Sequence, residues 1–306
     1  MFIFNPDPFL LPAYKISPFK TDSISFNRRL PSDNFAEEYF NVRFGEGNWH
    51  YTINGREAIN FALKSYDLKK DDLVTILTTS ENFYISSCVT KEIEKFCRWN
   101  REILPETKAI FVNHEFGYPY FEMEKLVATG LPIIEDCCTT FFSQDEANKV
   151  GKYGDFALYS LPKFFPVQIG GILVSNTEKT SSQKSIITKM EANYVRDVVS
   201  YYLRNIEELL SRRKTNFDYA SLLYNSVGFD ERFAEKGSVV PSLHLLKNNN
   251  IIKDLPLLKV YLSNHGILSS VFYGEDAFFL PNHQNMDKFD VEYIFECVIN
   301  FKNLQV

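Results

Sequence analysis

The chain has 306 residues, of which 45% are hydrophobic and 24% charged, enough for one large globular domain and a smaller one. A formal net charge of −6 argues against nucleic acid or an anionic membrane as the main partner. No apolar run approaches the roughly 20 residues of a membrane-spanning helix.

Residues 1–45 carry Pro6, Pro8, Pro12, Pro18 and Pro31 and read as an irregular arm that packs on the body or on a second subunit. The start has no basic residues and is broken by prolines, so it does not read as a signal peptide. Arg56 to Tyr66 has helical apolar spacing at Ala58, Ile59, Ala62 and Leu63. Leu73 to Leu77 reads as a strand, Phe83 to Arg98 as a helix and Ala109 to Asn113 as a second strand. Phe121 to Thr129 is a helix stopped by Gly130, and Pro132 to Glu135 a third strand. Phe156 to Ser160 and Gly171 to Ser175 are two more. Short, nearly continuous apolar strands alternating with helices predict an α/β fold with a mostly parallel central sheet flanked by helices.

After Asn176 the pattern changes. Ser182 to Val227 is rich in helix formers, with Val198 to Arg213 as one helix. A helix over Leu255 to Asn264 closes at Gly266 and precedes a strand, Ile267 to Tyr273. A last helix, Val291 to Phe301, has Asp290 as its N-cap. The division expected is an arm plus large domain over 1–185, then a helical connector and small C-terminal α+β domain over 186–306.

The chemistry concentrates in two segments. Pro132-Ile133-Ile134-Glu135-Asp136 reads as a buried strand ending in a carboxylate. Lys163 to Gly171 places a lysine in a largely apolar loop ahead of a double glycine and another strand. Such a lysine is desolvated and nucleophilic. An aspartate and a lysine at neighbouring strand ends suit pyridoxal 5'-phosphate (PLP): the lysine forms the Schiff base and the carboxylate keeps the pyridine nitrogen protonated. The ordinary alternatives are a surface lysine and a turn aspartate. Gly55-Arg56-Glu57 opens a helix and offers free N–H groups to a phosphate, or is simply an ordinary cap. Asn82-Phe83-Tyr84 supplies an aromatic that either stacks on a cofactor ring or packs in the core. His114-Glu115-Phe116-Gly117-Tyr118 lacks the second histidine of a zinc-protease motif. The five cysteines are odd in number and without ligand or framework spacing. They read as reduced thiols of a cytoplasmic protein, with no metal site expected.

Taken in order, several motifs resemble the DegT-type (DegT/DnrJ/StrS) family of PLP-dependent sugar aminotransferases. They are Gly55 to Ile59, Ala109 to Pro119, Ile133 to Cys138, Gly151 to Asp155, Ser160 through Lys163 to Gly171, Leu280 to His283 and Asp290 to Ile294. The resemblance implies the PLP-dependent transferase fold type I and a homodimer with active sites at the subunit interface. Lys163 is then the Schiff-base lysine and proton shuttle, and Asp136 the partner of the pyridine nitrogen. Gly55, Arg56 and Glu57 hold the phosphate at the helix start, helped by Ser160. Tyr84 matches the ring-stacking aromatic if two residues are inserted before it. Thr139 stands where the family has glutamine or histidine, and joins the cofactor set. Departures are the short Ser160–Lys163 spacing, Phe164 in place of an asparagine, and a loss of chain after Asn176. The implied activity is amino transfer from a donor, glutamate by family analogy, to a nucleotide-linked keto-sugar in surface polysaccharide or lipopolysaccharide biosynthesis. The lysine argues against the family's dehydratase branch, which has histidine there. The competing expectation is a catalytically inactive homologue that binds PLP or a sugar nucleotide as a structural or regulatory protein.

Overall fold

Apolar runs bounded by turns become strands wherever both faces can be covered. In the computed structural model, which describes residues 13–177, 184–233 and 238–305, seven such runs form one sheet. They are β1 (Trp49–Thr52), β2 (Leu73–Thr78), β3 (Arg98–Asn100), β4 (Thr107–Asn113), β5 (Ile133–Asp136), β6 (Phe156–Ser160) and β7 (Gly171–Ser175). The order is β1-β7-β6-β5-β4-β2-β3. Pairings from β3 through β6 are parallel, while β7 runs antiparallel to both β6 and β1. The expected mostly parallel central sheet is therefore present.

Nine helices among the described residues complete the fold: α1 (Asp22–Asn27), α2 (Phe35–Phe44), α3 (Gly55–Lys64), α4 (Ser87–Ile93), α5 (Met123–Val127), α6 (Lys189–Arg204), α7 (Ile206–Asn225), α8 (Leu255–Asn264) and α9 (Lys288–Leu304). One sheet face buries Ala58, Ile59 and Ala62 of α3 against Val74, Phe111 and Leu158. The other buries Phe40 of α2 and Val195, Val198 and Val199 of α6 against Tyr159, Phe164 and Phe165. A second core starts at Ala220. There β8 (Asp230–Glu231), β9 (Leu243–Lys247), β10 (Ser270–Val271) and β11 (Ala277–Pro281) form an antiparallel sheet in the order β10-β11-β9-β8, packed on α7, α8 and α9.

Several elements differ from the sequence reading, for local reasons. The arm expected to be irregular contains α2, whose Ala36 and Phe40 are fully buried; Pro6, Pro8 and Pro12 lie outside the described residues. The helix expected over Phe83 to Arg98 is confined to α4, because Ser86 caps a later start and Arg98 turns into an edge strand beside β2. The run Val198 to Arg213 is broken at Asn205 into α6 and α7. The last helix is capped by Asp287, and Asp290 is its reciprocal capping-box partner. The strand expected over Ile267 to Tyr273 shrinks to β10, while β1, β9 and β11 come from segments too short or too mixed to declare themselves.

Phe40 packs against Phe44, Trp49, Tyr51 and Phe141 with no exposed surface. Phe40→Ala should cost about 3–5 kcal/mol, read as a lowered denaturant midpoint. A change under about 1 kcal/mol would mean the arm is not part of the core.

Candidate active site

The site begins at the carboxyl end of β5, where two acidic residues follow one another and point to opposite faces of the strand. Glu135 is wholly buried and fully occupied. It accepts from the backbone N–H of Gly151 (2.8 Å), Tyr153 (2.7 Å) and Gly154 (2.8 Å), and from His114 Nε2 (3.1 Å). His114 Nδ1 accepts from Tyr120 N at 2.9 Å, which leaves Nε2 as the protonated nitrogen. His114, Glu135 and Cys137 offer ligand atoms within 4.8 Å of one another, but the histidine nitrogens and the carboxylate are already committed to these bonds.

Asp136 has a different environment. Its Oδ1 accepts from Cys138 N at 2.9 Å, and no Lys, Arg or His lies within ion-pair distance of its carboxylate among the described residues. Burial pushes its pKa up, opposed by the Cys138 bonds and by the charges of His114 and Lys163. It is a buried carboxyl whose neutral form burial favours.

Lys163 ends a single turn of 3-10 helix, Leu161–Lys163, that follows β6 directly. The flanking Leu161, Phe164 and Phe165 are fully buried, so the turn is anchored in the core. The double glycine ties this loop to the start of α3. Gly170 donates to Ile53 O (2.8 Å) and accepts from Leu161 N (3.1 Å). A Cβ on Gly171 would sit 2.5 Å from Thr52 Oγ1 and 2.8 Å from the Asn54 carbonyl carbon, so only glycine permits the approach.

That approach brings the helix start to the strand ends. Asn54 caps α3 by accepting from Glu57 N at 3.1 Å, and the first helical bond is Ala58 N to Asn54 O. Gly55 and Arg56 thus present N–H groups with no partner inside the helix. A Cβ on Gly55 would lie 3.0 Å from Cys138 Sγ and 3.8 Å from Ser160 Cβ, which places Gly55, Ser160 and the residues after Asp136 around one point.

Three expected cofactor contacts need revision or relocation. The Glu57 N–H is occupied by Asn54, and its carboxylate accepts from Ile53 N, Ser185 Oγ and Ile186 N. An anionic group so engaged is a cap and a loop tie, not a phosphate ligand. Thr139 Oγ1 donates to His114 O and accepts from Phe116 N, both within 3.0 Å, so its hydroxyl serves the β4 turn. Tyr84 packs against Phe116, Phe272 and Phe279, an aromatic cluster between the two sheets.

Sequence reasoning passed over two features of this region. Phe116 adopts φ +58°, unusual for a bulky residue, where its carbonyl accepts from Ser242 N at 2.9 Å. Arg213 on α7 is fully buried and donates to the carbonyl of Lys163 at 3.2 Å. Nothing in the helical pattern of α7 marks Arg213, because a buried arginine and a solvated one look alike in sequence.

A seven-stranded, mostly parallel sheet with an antiparallel β7 and helices on both faces is the fold of the PLP-dependent aminotransferases. Residues 97–193 match the family model of the DegT/DnrJ/EryC1/StrS aminotransferase family, so that segment carries the family's signature, as the motifs indicated. The chain is similar in fold to the aminotransferase TlmJ from Streptoalloteichus hindustanus (16% identity, TM-score 0.73, covering 96% of this chain and 100% of that one). It is similar to Spr1654 from Streptococcus pneumoniae in its PLP form (13% identity, TM-score 0.72, 99% and 100%). It also matches Escherichia coli GDP-4-keto-6-deoxy-D-mannose-3-dehydratase with bound hydrated PLP (15% identity, TM-score 0.67, 94% and 100%). No curated protein matches the sequence.

Glu115 yields a pH test. Burial raises its carboxyl to about 7, against the opposing effects of Ser80 and the charges of Arg101 and Arg232. The folded state therefore binds its proton more tightly than the unfolded chain does. The resulting stability is present below the ordinary value near 4.5 and is lost as pH rises through about 7. Relative to Glu115→Gln, the native protein should lose about 3 kcal/mol between those limits at about 1.4 kcal/mol per pKa unit. Denaturant titrations at several pH values give the difference, and parallel profiles for the two proteins would contradict it.

Proposed function

We propose that the protein is a PLP-dependent aminotransferase acting on a nucleotide-linked keto-sugar, with Lys163 as its reactive amine. The observation that carries this reading is the Asp136–Lys163 arrangement: a buried carboxyl with no ion-pair partner among the described residues, close enough to Lys163 to feel its charge. The residues present fit the cofactor. The unmatched carboxyl suits a protonated pyridine nitrogen, and the α3 start with Gly55, Arg56 and Ser160 suits a phosphate.

PLP, when bound, supplies an electron sink for the carbon that gains or loses the amine. The chain's own groups do the rest. Asp136 keeps the pyridine nitrogen protonated by offering a buried negative charge. The N–H groups of Gly55 and Arg56 orient the phosphate with the positive end of α3. Lys163 would hold the cofactor through its Nζ and would serve as the group that moves a proton at that atom during amino transfer. Phe164 and Phe165, both buried, limit water at the base of the lysine loop. Thr139 contributes by holding the strand-end turn, and Tyr84 by filling the wall between the domains.

The amino donor is glutamate in this reading, and the acceptor belongs to lipopolysaccharide or other surface polysaccharide synthesis in the cytoplasm. An open groove beside Arg56, also lined by Lys64, Lys95 and Lys184 against Glu57 and Glu92, supports an anionic, nucleotide-linked substrate. The enzyme would work as a homodimer, with large domain 1–185 and small domain 186–306. An inactive binding homologue is favoured instead by one point: the committed carboxylate of Glu57 and hydroxyl of Thr139 leave fewer cofactor contacts than the motifs suggested.

Adding PLP should give a visible absorbance band that is absent from Lys163→Ala. Asp136→Asn should lower amino transfer by about 100-fold or more. A band that forms equally well in Lys163→Ala would remove Lys163 from its role. A normal band with no amino transfer from any donor would move the reading to the inactive homologue.

A further inference from the structure

Arg213 is a guanidinium with no exposed surface and, among the described residues, no carboxylate partner. All its hydrogen bonds go to neutral oxygens. Nε and Nη2 donate to Gln284 Oε1 (3.3 and 3.0 Å), Nη2 to Lys163 O (3.2 Å), and Nη1 to Pro241 O and Ser242 O (3.5 and 3.4 Å). Its charge lies over the Phe164 ring, 4.8 Å from the centroid. Gln284 then reaches past it, donating Nε2 to Phe164 O at 2.7 Å.

Burying an unpaired cation is costly, and an apolar side chain would fill the space at lower cost. Burial alone drives the Arg213 pKa down to about 9. What the charge secures is specific. The 3-10 turn satisfies its own Leu161 carbonyl, which accepts from Phe164 N and Phe165 N. The next carbonyls, of Lys163 and Phe164, are met by Arg213 and Gln284. Gln284 belongs to the chain after β11, and Pro241 and Ser242 to the chain before β9, so the small domain holds the lysine's backbone.

We propose that Arg213 is a positioning residue for Lys163, which with Gln284 fixes the lysine loop to the small domain and so sets where the reactive amine stands. The Phe164 ring is part of the device, because it carries the guanidinium face where an asparagine would offer no such platform. This inference rests on Lys163 being the reactive amine, so its test includes a measurement that needs no cofactor.

Amide hydrogen exchange on the cofactor-free protein provides it. Arg213→Met should speed exchange in residues 161–170 at least tenfold while β4 stays protected. Gln284→Met, which keeps the arginine's bond to the Lys163 carbonyl but removes its Gln284 acceptor and frees the Phe164 carbonyl, should loosen the same segment to a lesser degree. With PLP added, Arg213→Met should build the visible band at least tenfold more slowly, and Arg213→Lys should recover part of that rate. Unchanged exchange in 161–170, or a rise spread evenly over the chain, would overturn the proposal. If Arg213→Met does not fold, Gln284→Met and Arg213→Lys carry the same comparison: equal exchange to wild type in 161–170 refutes it. Lys163→Ala separates the two readings. Loss of its band with unchanged exchange in the Arg213 and Gln284 variants defeats this inference alone, and retention of its band defeats the assignment of Lys163.

Discussion

Everything around the site depends on the carboxylate of Glu135. A buried ionised carboxylate is tolerated only when its lone pairs are met, and here three backbone N–H groups and one imidazole meet them. The N–H groups belong to Gly151, Tyr153 and Gly154, in the segment that leads into β6. One side chain thereby sets the path of the chain toward Ser160 and Lys163. His114, pinned by Tyr120 N on its other nitrogen, extends the same control to the turn after β4. Gly154 must be glycine for this, because a Cβ there would lie 2.6 Å from Ile133 O. With Glu135 saturated on one face of β5, the carboxylate of Asp136 on the other accepts only from Cys138 among the hydrogen bonds of the described residues.

The glycines after Lys163 close the arrangement from the opposite side. Gly170 bonds to Ile53 and Gly171 admits the loop before α3, so the helix start, the lysine loop and the end of β5 are braced against one another by backbone. Backbone bracing suits a site whose parts must keep their spacing, because it has fewer rotatable bonds than side-chain contacts have. Phe164, also in this loop, has its ring buried beneath Arg213.

What was legible in the sequence follows the same physics. Strands β2, β4, β5, β6 and β7 are buried on both faces, so their apolar runs announce them without help from context. Asp136 and Lys163 stood out in the sequence because each is a charged residue set in a largely apolar stretch. Helix α2 was hidden by the surrounding prolines, and β1 and β3 by their edge positions, where no period survives. Glu57 and Thr139 were misjudged for another reason: each has the right residue type at the right offset, but hydrogen-bonding capacity is finite. Which partner takes it depends on residues such as Ser185, 128 positions away. Arg213 and Gln284 were beyond reach for the same cause, since their partners lie 50 and 120 positions away.

Two buried groups without an ion-pair partner among the described residues, Asp136 and Arg213, have Lys163 as a common neighbour: it interacts with the first through its charge and with the second through its carbonyl. Had the fold joined Asp136 and Arg213 directly, both would be satisfied and the interior would be cheaper to form. Kept apart, Asp136 accepts from Cys138 N and the guanidinium donates to the Lys163 carbonyl. Arg213 and Gln284 thus hold the Lys163 loop through neutral hydrogen bonds, while Asp136 at the end of β5 interacts with Lys163 through charge.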